Sequence, residues 1–266
     1  AFLLSFTVQT AKIFNNYCVF LNNFVQCKRY LDSGLKWRGG EGGGGGAMML
    51  SMLKLLYNFN NSYINNTSTC MGGAIKLRYA RSYVEVKGHF RLNTAPKGSA
   101  IVCTKAIVQI LHCSFISNTA LVSGGAVLMI DLKCVNNHSV YFNNTSRDAG
   151  GAIHLTNIHY FQNIRCKFYN NFAVHKGGSI YFSGESTATR SILSSTLSIF
   201  SGSKASEGAV TYIEFVAFLK HNRDLFFANT VSNHGACFYI TKLNMFINQY
   251  CLLRDNFAGK DGGCMY

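Results

Sequence analysis

A pair of glycines, then a small residue, then an apolar one, recurs along this chain at nearly constant spacing. The full copies are Gly45-Gly46-Ala47-Met48, Gly72-Gly73-Ala74-Ile75, Gly124-Gly125-Ala126-Val127, Gly150-Gly151-Ala152-Ile153 and Gly177-Gly178-Ser179-Ile180. Weaker copies start at Gly98, Glu207, His234 and Gly262. Successive starts lie 27, 26, 26, 26, 27, 30, 27 and 28 residues apart. Such regularity means a repeat architecture, in which each unit buries its apolar face only against its neighbours.

A second motif keeps phase with the first. It is an aromatic residue or Leu, two variable residues, then Asn, ending six residues before the glycine pair. Its copies are Tyr63 to Asn66, Phe115 to Asn118, Tyr141 to Asn144, Phe168 to Asn171 and Leu253 to Asn256. Phe90 to Asn93 and Phe226 to Asn229 read one residue closer, and Phe20 to Asn23 is parted from its glycine pair by an insertion. That insertion carries Lys28, Arg29, Lys36, Arg38 and the run Gly42 to Gly46. Residues 27–46 are therefore expected to be a disordered glycine-rich loop within one domain over 1–266.

Three and five places after the first residue of each glycine motif the chain is apolar, as in Ile75/Leu77, Ile101/Cys103, Ile153/Leu155, Val210/Tyr212 and Cys237/Tyr239. The residue between them varies. Period two means a short strand with one face inward. A second alternating run precedes the aromatic motif, as in Leu111, Cys113, Phe115. About 26 residues suffice for one coil of three short strands and three turns, with equivalent strands stacked about 4.8 Å apart. The glycines Gly72, Gly73, Gly124, Gly125, Gly150, Gly151, Gly177 and Gly178 suit corners that need positive φ or close backbone approach. Asn66, Asn118, Asn144, Asn171 and Asn256 suit an inward corner where amides bond from coil to coil, and Phe115 and Phe168 belong to a stacked aromatic column. The expected fold is all-β: a right-handed parallel β-helix of about nine coils of 26–30 residues, with handedness from the crossover rule.

The pairing of F-x-x-N with G-G-A-[ILV] resembles the repeats of the polymorphic outer membrane proteins, and through them the pectin-lyase-like superfamily of parallel β-helices. The resemblance covers roughly Cys18 to Tyr266. It implies a secreted, surface-exposed, adhesive stalk exported by a C-terminal barrel. The localisation it implies is extracellular or cell surface, the outer membrane if the source is bacterial.

Composition fits a continuously stacked core. Apolar residues make up 48% and charged residues only 14%. Disorder is excluded by the apolar content and collagen by the single proline, Pro96. No stretch of about 18 apolar residues runs without a polar interruption, so a membrane helix is not expected. The chain starts at Ala1 and stops in mid-pattern at Tyr266, and so reads as a fragment. Membrane contact is expected only through segments outside it, and the segment alone is expected to be poorly soluble.

The rival to a scaffold is a carbohydrate-active β-helix enzyme; a degenerate fragment without activity of its own is a third reading. Lyases and hydrolases need clustered carboxylates. The eleven acids of this chain form no Asp-Asp pair, so no catalytic residue, metal ligand or cofactor is assigned. Asn233-His234-Gly235 occupies an ordinary glycine corner. Cys18, Cys113, Cys166 and Cys251 fall in one inward column as buried thiols, whereas Cys237 and Cys264 read as opposite in parity, which disfavours a bridge. No C-x-x-C pair occurs, so zinc is not expected. Of the glycosylation sequons, Asn65 and Asn143 point outward, whereas Asn66 and Asn144 are ladder positions.

Lys+Arg total 25 against 11 acids, a net charge of +14. The cations are scattered, among them Arg78, Arg81, Lys87, Arg91, Arg165, Lys167, Lys220 and Arg223. Alignment across coils would turn them into a stripe. The expected partner is a surface ligand, an anionic glycan or a protein. Nucleic acid is not favoured, because no recognised motif accompanies the cations. Outward aromatics such as Tyr181 and Phe238 are a second contact surface. The leading reading is a non-enzymatic adhesive or stalk-like scaffold.

Overall fold

A computed structural model describes residues 2–5, 11–26, 45–184 and 191–266. Most of the expected insertion lies outside the described residues. Gly45 and Gly46, included in that span above, are buried at the first complete corner and belong to the coil.

The described chain winds as a β-solenoid of four nine-stranded sheets, with no helix among the described residues. Sheet A holds the strand after each glycine corner, such as Ile75–Arg78 and Ile101–Thr104. Sheet B follows with strands such as Ser82–Val86 and Ile107–Leu111. Sheet C holds three-residue strands such as His89–Arg91 and Ser114–Ile116. Each strand pairs in parallel with its equivalent one coil away, Ser82 with Ile107 and Phe90 with Phe115.

Three strands per coil were expected and four are present. Sheet D collects pieces such as Thr67–Ser68 and Thr145–Ser146, between the Asn and the glycine corner. Two residues are too few to display an alternating pattern, yet they pair with their neighbours once the coils stack.

Half of each coil has a fixed length. From the first residue of a sheet B strand to that of the sheet D strand is 13 residues in successive coils: Leu55 to Thr67, Ser82 to Thr94, Ile107 to Thr119, Lys133 to Thr145 and Tyr160 to Phe172. One left-handed residue turns B into C, for instance Lys87 at φ 53°, and another turns C into D, for instance Asn143 at φ 55°. Variation in period therefore falls on the other half. There the register of Ala95 and Lys97 against Ala120 and Ser123 slips, which puts Asn93 one residue closer to its glycine.

The register also corrects two repeat starts. Positive φ marks Gly208 and Gly235, at 58° and 66°, as the equivalents of Gly177 and Gly262, not Glu207 and His234. Glycine is needed at this position: a Cβ on Gly72 would lie 2.5 Å from the Ile75 carbonyl oxygen. From Gly235, Asn229 regains the regular six-residue spacing. Parity shifts with it. Thr211 and Phe238 pair with the inward Ile180 column, and Tyr212 and Tyr239 fall on the outward Tyr181 column. Phe238 is fully buried and is core, not contact surface.

The core is a set of ladders. Phe20, Tyr63, Phe90, Phe115, Tyr141, Phe168, Phe200 and Phe226 stack at centroid separations of 4.6 to 5.2 Å, nearly coplanar. Beside them Asn23, Asn66, Asn93, Asn118, Asn144 and Asn171 link side chain to side chain at 2.8 to 3.1 Å. Ser203 interrupts the run, and Asn229 to Asn256 resumes it at 2.9 Å. Each amide also donates to the carbonyl of the aromatic residue one coil back, as Asn118 Nδ2 does to Phe90 at 3.0 Å.

Candidate functional site

The corner glycines from Gly72 to Gly178 and the ladder asparagines hold the coils in register and are buried, save Asn23 and Asn256 in the end coils, which are half-buried. They offer no groups to a ligand. Of the sequon residues, Asn66 and Asn144 are fully buried, whereas Asn65 and Asn143 sit exposed at C-to-D turns. Cys18, Asn61, Gly88, Cys113, Ser139, Cys166, Ser198, Asp224 and Cys251 form the inward corner column between sheets B and C, each just before its sheet C strand. Their side chains accept from the backbone of the preceding coil, as Asn61 does from Cys18 N at 2.8 Å and Ser139 from Cys113 N at 3.2 Å. Burial pushes the Cys166 thiol up to about 12, so it is inert as a nucleophile. Cys70 is disulfide-bonded.

Among the described residues three acid–base groupings are internally spent, and a fourth, His234 Nδ1 at 3.3 Å from Asp261 Oδ2, pairs a histidine with an exposed carboxylate. Lys176 Nζ lies 2.9 Å from Glu214 Oε1 on the outer side of sheet A, beside Tyr181 and Tyr212. Burial works to lower Lys176, but the hydrogen bond and charge of Glu214 outweigh it and hold the ammonium above its usual range. One carboxylate with a firmly protonated lysine is not an acid/base pair. Ser195, His221 and Asp224 bring the residue types of a hydrolytic triad together. His221 Nδ1 is 2.8 Å from Asp224 Oδ2, but all three are buried and no acyl substrate can reach them. Glu85 is also buried, accepting from Tyr83 Oη at 2.6 Å and Asn58 Nδ2 at 2.7 Å. Burial raises its pKa to about 7. Among the described residues no group of three or more His, Cys, Asp and Glu is placed to hold a metal ion.

The outer surface is organised differently. The left-handed B-to-C turn residues are Tyr17, Asn60, Lys87, His112, His138, Arg165, Leu197, Arg223 and Tyr250. Backbone bonds keep them in line from coil to coil: Lys87 N donates to Leu111 O, His112 N to Asn137 O and His138 N to Ile164 O, at 2.8 to 2.9 Å. Four consecutive coils thus present Lys87, His112, His138 and Arg165 in single file. The two imidazoles stack at 4.8 Å. Lys87, His112 and Arg165 are exposed and His138 is half-buried. By sequence alone His112, next to Cys113, reads as an isolated structural residue, and nothing marks His138; the coil register places both in the file. Stepping back six residues from each ladder Asn, from 93, 118, 144 and 171, lands on all four.

The stripe meets no opposing charge. None of the four pairs with a carboxylate among the described residues. The neighbouring outward positions of sheet B are Val86, Leu111, Asn137 and Ile164, and those of sheet C are His89, Ser114, Val140 and Lys167. Further apolar side chains stand exposed on these two faces, among them Ile107, Phe142 and Phe227. No protein-family model, curated protein or solved structure matches this chain.

Proposed function

We propose that this chain is part of an extracellular or cell-surface solenoid that serves as a non-enzymatic interaction scaffold, adhesive or stalk-like. The observation that carries the reading is the outer face at the join of sheets B and C. Cations and apolar side chains stand there in columns held by the backbone register, while the acid–base groups are buried or paired among themselves. A stack of identical coils is a rigid spacer that repeats one surface feature along its axis. The disulfide at Cys70 fits an oxidising compartment. The resemblance to polymorphic outer membrane protein repeats points the same way, with the limit that fold alone does not carry function.

Membrane-impermeant amine labelling of intact producing cells tests the location. Exposed lysines such as Lys204 and Lys260 are expected to label. Protection of the chain until the cells are lysed would overturn it. Depolymerisation of any polysaccharide by the purified chain would overturn the non-enzymatic part and favour a hydrolase or lyase.

A further inference from the structure

We propose that Lys87, His112, His138 and Arg165 form a binding stripe for a linear polyanionic polysaccharide, laid along the solenoid axis with one anionic group per coil. This deepens the scaffold reading and rests on it.

The geometry is that of a ruler. Four turn residues repeat at the coil spacing, with the two imidazole centroids 4.8 Å apart. At that spacing the stripe runs about 14 Å from Lys87 to Arg165. Leu197 ends it on one side and Asn60 on the other. Single file suits a single chain. Two grooves or a duplex would call for a second parallel row of cations, and the adjacent sheet C positions between His89 and Lys167 are Ser114 and Val140. Bases would call for open aromatic platforms, and the stripe's two imidazoles are stacked on each other. Apolar Val86, Leu111 and Ile164 along one side leave the cations without a competing acid and can take the apolar faces of sugar rings.

The histidines make binding of an anionic chain depend on pH. An imidazole becomes charged as pH falls through about 6.5. Desolvation, then the charges of His112 and Arg165, lowers His138 from its ordinary value. The groups facing the pair are Lys87 and Arg165 in the turn column, and His89 and Lys167 on sheet C. Asn137 bonds the His138 ring at 2.6 Å, and Cys113 and Ser139 lie on the wall beneath. None of these facing groups is a carboxylate. Acidification therefore adds positive charge to the stripe, while a sulfate half-ester and a carboxylate of pKa about 4 both stay ionised down to about pH 5.5. Binding must tighten as pH falls.

The test uses the chain with defined heparin fragments and a direct binding measurement. A tetrasaccharide is expected to bind and a disaccharide to bind far more weakly, because only the former spans the four coils. Lys87→Asn with Arg165→Asn removes two cations and keeps a residue that accepts left-handed φ; a loss of roughly tenfold or more, with a shallower salt dependence, is expected. His112→Asn with His138→Asn is expected to abolish the gain between about pH 7.5 and about pH 5.5. Lys204→Asn, on sheet D, makes a remote change of like sign and is expected to bind as the wild type does. Equal loss from Lys204→Asn, or tighter binding of a single-stranded polynucleotide of matched length, would overturn the stripe. So would failure of the wild type to bind heparin fragments. Protection from surface labelling with heparin binding intact would instead sink the location and leave the stripe supported.

Discussion

The Asn118 side chain makes four hydrogen bonds to neighbouring coils. Its Oδ1 accepts from Asn93 N and Nδ2 at 3.1 and 3.0 Å, and its Nδ2 donates to Phe90 O and Asn144 Oδ1 at 3.0 Å. Asn118→Ala would strand buried amide groups on both sides and is expected to cost about 3 kcal/mol, read as a lower denaturation midpoint. Asn118→Ser should cost less, since Ser203 fills the equivalent place and Ser203 N still bonds Asn229. Two buried ionisable groups set opposing pH dependences. Burial raises Glu85 to about 7, so its share of stability is full below its unfolded value and is lost as pH rises through 7, about 3 kcal/mol in all. Burial, then the charge of Lys97, lowers His154 to about 4, so its share is full above the unfolded value of about 6.5 and is lost as pH falls from there through about 4. Glu85→Gln is expected to leave a chain that weakens only toward acid, and His154→Phe one that weakens only toward alkali. Identical pH profiles for the two variants would refute the assignment. The Asn ladder is legible in the sequence because the amide is required at each inward corner. Glu85 is not, because it replaces Asn in a column no motif marks: Asn58, Glu85, Ile110, Asn136.

Strands of five, three and two residues alternate with single left-handed turn residues, and element length decided what the sequence revealed. The five-residue strands of sheet B and the three-residue strands of sheet C show period two. The two-residue strands of sheet D show nothing until they pair. In the last coils a one-residue slip in placing the glycine reversed the reading of every side chain after it, as period two requires. With Gly235 and Gly262 aligned, Cys237 and Cys264 share a column and their Sγ atoms lie 3.7 Å apart. That reverses the opposite parity read from the sequence. Adjacent coils about 4.8 Å apart fall within the span a disulfide bridges. The more accessible Cys264 should attack an added small-molecule disulfide, and Cys237 should then displace the reagent thiol from the mixed disulfide. Burial raises the Cys237 thiol, so this second step is expected to be slow. Peptide mapping after oxidation should find the Cys237–Cys264 link and a raised thermal midpoint. Only mixed disulfides would contradict the pairing.

Across the whole molecule, coils gain stability from their neighbours, so the outermost ones are the least covered. The inward residues Ile13, Phe20, Phe246 and Leu253 of the end coils are only half-buried, whereas Leu56, Tyr63, Leu219 and Phe226, one coil further in, are fully covered. The 266-residue segment expressed alone is therefore expected to associate end to end, with light scattering rising with concentration and falling in mild denaturant. A monodisperse monomer at high concentration would contradict this. The net charge of +14 belongs to this scale too. Arg78 lies on sheet A and Lys220 within sheet B, and among the described residues the turn between sheets B and C gathers a file of like sign.

By itself the sequence determined the repeat, the parallel stacking, the inward ladders and the outward Asn65 and Asn143, because each follows from a residue type that its backbone position requires. The tertiary structure alone decided the fourth sheet, the parity of the last coils, the Cys237–Cys264 juxtaposition and the line of Lys87, His112, His138 and Arg165. Those depend on register between coils, and register is a relation between residues some 26 positions apart that no local pattern encodes.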